Sequence, residues 1–86
     1  MSLKISVVIP VYNEVETIRE ILNRVQNIDV VNEIIVVDDA SNDGTTQYLH
    51  ELSQSHPDAK IFFHEKNLGK GAALRTGFAH VSGEEE

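Results

Sequence analysis

The stretch Ile34-Ile35-Val36-Val37-Asp38-Asp39 is a run of four β-branched apolar residues that ends in two carboxylates. An uninterrupted apolar run of this kind is typical of a strand that is covered on both faces in a parallel sheet. The two carboxylates then follow the carboxyl end of the strand, where open parallel sheets bind their ligands. We therefore predict a buried strand with a polar site at its end.

Two similar runs lie on either side of this strand, Ile5-Ser6-Val7-Val8-Ile9 before it and Ile61-Phe62-Phe63 after it. Helical patterns separate the three runs, so the predicted order is β-α-β-α-β-α. Long crossovers that contain a helix imply parallel strands with right-handed connections. The fold class predicted is α/β, a three-layer, doubly wound parallel sheet of the Rossmann-like type.

The helices are predicted from apolar spacing and from their end signals. The first carries the stripe Ile18, Ile21, Leu22 and Val25, with Asn13 and Glu16 as a capping box before it. The second is expected over residues 44–54, burying Tyr48, Leu49 and Leu52 and ended by Pro57. The third is expected over residues 69–81, with its core face formed by Leu74, Phe78 and Val81.

Composition excludes several classes of protein. The chain has 86 residues, room for one small domain, and a formal net charge of −7, which argues against a nucleic-acid partner. It has no cysteine, which excludes a disulfide scaffold and a cysteine zinc site. The longest apolar run, residues 5–11, is far shorter than the ~20 residues of a membrane span. No signal peptide is expected.

Polar chemistry is concentrated in the three loops that follow the strands, residues 10–14, 38–44 and 64–71. The opposite loops, residues 27–33 and 55–60, have the composition of ordinary solvated connections. In an open parallel sheet the first set of loops meets at one edge. The sequence therefore predicts a binding site at that edge.

The adjacent carboxylates Asp38 and Asp39 are the strongest candidates. Successive strand side chains point to opposite faces, so one carboxylate is expected to meet a ligand while the other braces the following turn. The alternative is that both are turn and cap residues leading into Ser41-Asn42-Asp43-Gly44.

The first loop adds Pro10, Tyr12 and Glu14. Pro10 ends the first strand, where its missing N–H is tolerated. The ring of Tyr12 is suited to covering a nucleobase, or to packing on the next loop. Glu14 is suited to accepting hydrogen bonds from a base or ribose, or to stabilising the helix dipole.

The third loop adds positive charge, because residues 66–75 hold Lys66, Lys70 and Arg75 and no acid. Gly69-Lys70-Gly71 at a helix N-terminus is a candidate anion seat, or simply a solvated helix start. It fits neither a dinucleotide fingerprint nor a Walker loop. The four histidines lack metal-ligand spacing, and His64, at the end of the third strand, is given no role.

Three motifs together resemble the opening of a family 2 glycosyltransferase of the GT-A fold. They are residues 6–14 (SVVIPVYNE), 33–45 (EIIVVDDASNDGT) and 67–73 (NLGKGAA), and the resemblance covers residues 4–83. The chain looks most like dolichyl- or other polyprenyl-phosphate mannosyl- and glycosyltransferases. The resemblance implies the nucleotide-binding N-terminal half of such a domain over residues 4–83. The three glutamates at residues 84–86 are expected to be an acidic tail.

The resemblance also implies roles for individual residues. Pro10, Tyr12 and Glu14 would line the base and ribose. Val37 and Asp39 would contact the base, with Asp39 as its hydrogen-bond acceptor and Asp38 as a brace. Lys70 and its flanking glycines would lie near the nucleotide. No catalytic residue and no metal ligand is assigned.

The implied activity is transfer of a sugar, with inversion, from a GDP- or UDP-linked donor to a polyprenyl phosphate or saccharide acceptor. Mn²⁺ or Mg²⁺ is expected for the family, but its Asp-x-Asp ligands are missing from the sequence, and Glu84-Glu85-Glu86 follows no strand. We therefore expect the chain alone to be inactive. A cytoplasmic location at the membrane face, peripheral membrane association and self-association through an unpaired edge of the first strand are also expected.

Two other functions are considered. The first is a non-catalytic nucleotide-binding module or remnant. The second is a receiver-like signalling domain, which would need the acidic pair after its first strand and another Asp after its third. Here the pair follows the second strand and His64 follows the third.

Overall fold

The computed structural model describes residues 5–56 and 59–81. Three strands alternate with three helices: β1 (Ile5–Val11), α1 (Val15–Val25), β2 (Val31–Asp38), α2 (Thr45–Ser55), β3 (Lys60–Phe63) and α3 (Lys70–Phe78). This is the predicted order, and the predicted α/β fold class is confirmed. The predicted boundaries at residues 4 and 83, the stop at Pro57 and the acidic tail lie outside the described residues.

The strands form one parallel sheet in the order β1-β2-β3. Val8 pairs with Ile35 and Pro10 with Val37, while Val37 also pairs with Phe62 on the other side. Strand β2 is therefore central and β1 is at an edge of the described sheet. A receiver-like domain has the order 2-1-3, with its first strand inside. The observed order excludes that alternative.

The sheet is covered on both faces, which explains the continuous apolar runs. On one face, α1 and α2 bury a core cluster that consists of Ile9, Val11, Ile18, Leu22, Val36, Leu49 and Leu52. On the other face, α3 covers a smaller cluster of Ile35, Val37 and Ala73. Alternate residues of β2 thus pack against the helices on opposite faces of the sheet, as the pleat of a strand requires.

Helix α3 packs mainly with its small residues, and the predicted core face is wrong at Phe78, whereas Val81 packs against the cluster of Ile35, Val37 and Ala73 as predicted. Ala73 and Gly77 are buried, whereas Phe78 is 60% exposed. A Cβ atom on Gly77 would lie 2.3 Å from Val8 Cγ1 and 3.4 Å from Val37 Cγ2. Close approach of the helix to the sheet therefore selects the glycine face rather than the bulkier one.

The predicted capping box before α1 is also wrong. The N-cap residue is Glu14, and no side chain caps the helix. Asn13 takes a positive φ of 51°, and its Oδ1 accepts a hydrogen bond from Asn42 N at 2.7 Å. The Asn13 side chain joins the first loop to the second instead of closing its own helix.

The remaining helix predictions are close to the structure. Helix α2 begins one residue later than the predicted start at residue 44 and extends one residue past residue 54, with Leu49 and Leu52 buried and Tyr48 half-buried. In α1, Ile18 and Leu22 are buried and Ile21 is exposed. No helix in the described part of the chain is long and apolar enough to cross a membrane.

Candidate functional site

The loops after β1, β2 and β3 meet at the carboxyl edge of the sheet, as the sequence predicts. Between them lies a cleft of 420 Å³, here called the Asp39 cleft, which is lined by Pro10, Val11, Tyr12, Glu14, Asp39, Asn67, Gly69 and Lys70. Backbone contacts fix the arrangement: Asp39 N donates to Val11 O at 2.9 Å, and His64 N donates to Asp38 O at 2.9 Å. The end of β2 thus holds both neighbouring loops.

Asp38 braces the second loop. Its side chain is buried, and Oδ1 accepts hydrogen bonds from Ser41 N at 3.1 Å and Ser41 Oγ at 2.6 Å. The hydroxyl of Thr46 on α2 donates to Asp38 Oδ2. Ser41 Oγ in turn accepts Asn13 N at 2.8 Å. Asp38 therefore acts on the first loop through Ser41, and it does not line the cleft.

Asp39 points to the opposite face and organises the third loop. Its Oδ1 accepts Leu68 N at 2.9 Å and its Oδ2 accepts Gly69 N at 2.8 Å. Asn67 Nδ2 also donates to the Asp39 backbone carbonyl at 3.3 Å. Asp39 is only 3% exposed, yet it forms part of the cleft wall. The prediction that the two carboxylates point to opposite faces is confirmed.

The charge of Asp39 is stabilised by these contacts. Burial raises the pKa of the carboxyl. The hydrogen bonds from His64, Leu68 N and Gly69 N together lower the pKa by more than burial raises it, so the pKa lies below its ordinary value of 3.8. Asp39 is consequently an anion at neutral pH. An ionised carboxylate is an acceptor only, which suits it to N–H and O–H donors of a ligand.

His64, to which the sequence assigned no role, contacts the site through Asp39. Its Nδ1 lies 2.8 Å from Asp39 Oδ1, and its Nε2 lies 2.8 Å from Thr76 Oγ1 on α3. Its position after β3 places it beside the end of β2. The sequence signal for this contact was the position of His64 at the end of a strand, because the carboxyl ends of neighbouring parallel strands lie side by side.

Tyr12 and Glu14 supply the open side of the cleft. Tyr12 is 45% exposed and Glu14 is exposed as well. Their backbone is fixed by the second loop, because Asn13 N donates to Ser41 Oγ and Glu14 N donates to Thr45 Oγ1 at 3.1 Å. An exposed ring and carboxylate on a held backbone are free to meet a ligand.

The third loop supplies Lys70, at the first position of α3. Gly69 before it takes a φ of 99°, a left-handed conformation that favours glycine. The expected anion seat is altered, because the amides of Leu68 and Gly69 already donate to Asp39. The exposed Lys70 ammonium at the cleft remains to attract an anion.

The structure brings together most of the predicted site residues, namely Pro10, Tyr12, Glu14, Asp39 and Lys70. Val37 does not line the cleft: it is fully buried against α3, so its expected contact with a base is not supported by its side chain. Val11, Asn67 and Gly69 line the cleft in addition. Gly69 belongs to the candidate anion seat of the sequence analysis, whereas Val11 and Asn67 lie within the quoted motifs but were not singled out.

Two other hollows lie away from this edge. One of 520 Å³ runs along the outer surface of α1 and α2, and one of 340 Å³ lies near the amino end of β2 beside Glu33. Glu33 is bound to Ser6 and Lys60. Size alone would favour the first, but among these three hollows of the described residues the Asp39 cleft is the one that combines the three strand-end loops with a held carboxylate and a cation.

A family model describes most of the chain. The model for glycosyl transferase family 2 matches residues 6–84. The chain belongs to this family. The predicted resemblance is therefore confirmed.

Two family 2 relatives illustrate the similarity. The dolichol-phosphate mannosyltransferase of Pyrococcus furiosus is 40% identical over 84 residues, which is 95% of this chain and 24% of that protein. The undecaprenyl-phosphate 4-deoxy-4-formamido-L-arabinose transferase of Salmonella choleraesuis is 38% identical over 87 aligned positions, 94% of this chain and 26% of that protein. The chain spans about a quarter of the length of these relatives.

Two solved structures are also similar to this chain. The mannosyltransferase PcManGT from Pyrobaculum calidifontis, in complex with GDP-Man and Mn²⁺, superposes with a TM-score of 0.82 at 32% identity, covering 98% of this chain and 26% of that one. The TarS 1–349 structure from S. aureus gives a TM-score of 0.74 at 32% identity, covering 95% and 25%. Both similarities extend over nearly all of this chain.

Proposed function

We propose that the Asp39 cleft binds the nucleoside diphosphate part of a sugar donor, and that the chain is the nucleotide-binding portion of a glycosyltransferase. One observation carries the proposal: a buried, ionised Asp39 lies in one cleft with an exposed Tyr12 ring and the Lys70 ammonium. Nucleotides offer a flat base with N–H donors and a diphosphate anion. The cleft has a complementary group for each part.

Each side chain has a distinct part in this proposal. The Tyr12 ring covers the base, and Asp39 accepts a base N–H. The Glu14 carboxylate accepts from ribose hydroxyls or the base, with Pro10 as an apolar wall. Lys70 attracts the diphosphate. Asp38 holds the second loop and does not touch the ligand.

The transfer reaction is proposed from the relatives. Proteins similar to this chain are named as transferases to dolichol phosphate and undecaprenyl phosphate, and PcManGT is complexed with GDP-Man. We propose that the parent enzyme moves a sugar from a GDP- or UDP-linked donor to a polyprenyl phosphate. A lipid acceptor would bring the enzyme to a cytoplasmic membrane face by peripheral association.

A divalent metal does not fit the described residues. PcManGT is complexed with Mn²⁺, and such a cation can neutralise charge that develops on a departing diphosphate. Within residues 5–56 and 59–81, no group of three or more His, Asp or Glu side chains is placed to hold one. Asp39 is already engaged by two amides and His64. We therefore assign these residues to nucleotide binding alone.

A second candidate is the non-catalytic nucleotide-binding module considered from the sequence. Both candidates require the Asp39 cleft to bind nucleotide. They differ in turnover by the parent protein rather than by this chain alone: a parent transferase releases nucleoside diphosphate from GDP-mannose or a UDP-sugar when an acceptor such as a polyprenyl phosphate is present, and a binding module does not.

Self-association is a further part of the proposal. Strand β1 pairs with β2 along one edge, and it pairs with no other strand within the described residues. Strand edges with free backbone groups recruit further strands. We propose that a second copy of the chain pairs there.

Calorimetric titration tests the nucleotide proposal. GDP and UDP are titrated into the chain, with inorganic pyrophosphate as the probe that lacks a base and guanosine or uridine, matched to the nucleotide that binds, as the probe that lacks phosphate. Saturable binding of GDP or UDP, weakened in Lys70→Ala and Glu14→Gln, is expected. Lys66→Ala is the matched control, since Lys66 is exposed but does not line the cleft. Equal heats from all four probes, or none, would contradict the proposal.

A further inference from the structure

The side chain of His64 lies behind the wall of the Asp39 cleft rather than on it. We propose that His64 is a positioning residue: its ring fixes the Asp39 carboxylate and, through it, the amides of Leu68 and Gly69, so that the cleft is formed before any ligand arrives. The importance of the cleft itself rests on the proposed function. The positioning does not, because it concerns contacts within the chain.

The ring is held at both nitrogens and is nearly closed to solvent. The His64 side chain is 10% exposed and that of Asp39 is 4% exposed. Nδ1 lies 2.8 Å from Asp39 Oδ1, and Nε2 lies 2.8 Å from Thr76 Oγ1. Because an ionised carboxylate can only accept, Nδ1 must carry the proton in this contact. In the neutral ring, Nε2 then accepts from the Thr76 hydroxyl.

The contacts on Asp39 are unequally divided between its oxygens. Oδ1 accepts from both Leu68 N and His64 Nδ1, whereas Oδ2 accepts from Gly69 N. A carboxylate has about four acceptor positions, two on each oxygen. The position that remains is therefore on Oδ2. His64 thus determines which oxygen is left to meet a ligand.

The same ring joins three elements. Asp39 follows β2, His64 follows β3 and Thr76 belongs to α3. The third loop, which carries Lys70 to the cleft, runs between the last two of these elements. A ring bonded at both nitrogens fixes the ends of that loop relative to β2. Preformed walls lower the ordering cost of binding.

His64 is not itself among the residues that line the cleft. Its effect on a nucleotide must pass through Asp39 and the third loop. A positioning residue can therefore be told apart from a ligand contact. If His64 acts by positioning, a variant that restores only the Nδ1 donor should restore the amide protection of the third loop and the nucleotide affinity.

Three substitutions separate a positioning role from a ligand contact. His64→Ala removes both contacts. His64→Asn retains an amide N–H at about the position of Nδ1, so it can still donate to Asp39, but it has no counterpart of Nε2. Thr76→Val removes the other contact and keeps the shape of the side chain.

The measurements are amide hydrogen exchange at Leu68 and Gly69 and the affinity for GDP and UDP, in the wild-type chain and the three variants. In His64→Ala we expect exchange at both amides to be faster and the affinity to be weaker, each by about tenfold, as for the loss of one charge-assisted hydrogen bond. We expect His64→Asn to restore both to within about threefold. The ¹⁵N shifts of wild-type His64 are expected to show a protonated Nδ1.

Two results would contradict the positioning role of His64. Unchanged exchange at Leu68 and Gly69 in His64→Ala would overturn the proposal. So would a His64→Asn variant that is no better than His64→Ala, because the role would then be packing alone. If the wild-type chain bound neither nucleotide, the proposed function would fail, while the exchange data would still decide the positioning role.

Discussion

The carboxylate of Asp39 accepts a hydrogen bond from the backbone N–H of Gly69, 30 residues further along the chain, at 2.8 Å. This contact joins the end of the central strand to the start of α3. It also uses a backbone donor that would otherwise be free for an anion. The cleft at this edge is thus partly built by the chain's own carboxylate.

Acid is predicted to destabilise the fold through Asp39. Burial raises its pKa, but hydrogen bonds from His64 and the two amides lower it more, so the folded-state pKa lies below the ordinary 3.8. A lowered folded-state pKa means that the stabilisation is present above about pH 4 and is lost as the pH falls through the folded-state value. The pKa of Asp43 is also lowered, chiefly by the Thr45 hydroxyl, and acts in the same direction.

Urea midpoints measured between pH 7 and pH 2 check this prediction. Asp39→Asn should be less stable at pH 7, by about 1–3 kcal/mol for buried partners left unpaired, and should lose less stability on acidification. Glu65→Gln, at an exposed position, is the control and should follow the wild-type curve. An acid slope in Asp39→Asn as steep as in the wild type would contradict the assignment.

Gly77→Ala is predicted to destabilise the fold. The added Cβ would lie 2.3 Å from Val8 Cγ1, so α3 or β1 must move. Overpacking of this kind costs about 1–3 kcal/mol. Gly71→Ala in the same helix is the matched control, because its Cβ would meet only Arg75 Nη1 at 3.6 Å. Chemical denaturation should show a loss for Gly77→Ala and no loss for Gly71→Ala. Equal stability of the two variants would count against the close packing.

Tyr12→Ala is predicted to weaken nucleotide binding without loss of stability. Stacking of a base on an aromatic ring is worth about 1–3 kcal/mol, so the Kd should rise at least fivefold. Phe78→Ala is the control, since Phe78 is also an exposed aromatic, at 60%, but lies outside the cleft. Titration of both variants with GDP and UDP separates the two rings. A Phe78→Ala effect as large as that of Tyr12→Ala would refute the assignment.

Self-association is predicted to depend on the edge of β1. Sedimentation velocity over a range of concentrations should show dimers or larger species at high concentration. Ser6→Pro removes a backbone N–H from the edge strand and should reduce association. Ser6→Ala is the matched control, because both variants lose the hydrogen bond from Ser6 Oγ to Glu33 but only the proline loses the N–H. A profile that is monomeric throughout would rule out this part of the account.

The sequence predicted the sheet because its signal was strong. Continuous β-branched runs such as residues 34–37 have few alternatives once helical patterns separate them. The direction of Asp38 and Asp39 to opposite faces followed from strand geometry alone. These predictions depended on local periodicity, which one sequence contains.

The predictions that were wrong depended on contacts between distant segments. Phe78 satisfied a helical apolar spacing, but the approach of Gly77 to Val8 selects another face of α3. Asn13 fitted a capping box, but its side chain accepts a hydrogen bond from Asn42 N instead. Neither partner is visible from spacing along the chain. The position of His64 after β3 did indicate that it lies beside the end of β2, but not that its ring bonds to Asp39.

The most direct test of the account is a residue-resolved NMR titration of the isotopically labelled chain with GDP and with UDP, each with and without Mn²⁺. The account predicts saturable shifts at Tyr12, Glu14, Asp39 and Lys70, with one base preferred and little dependence on the metal. Shifts that cluster instead along α1 and α2, or no shifts with either nucleotide, would contradict the claim that the Asp39 cleft is a preformed nucleotide site.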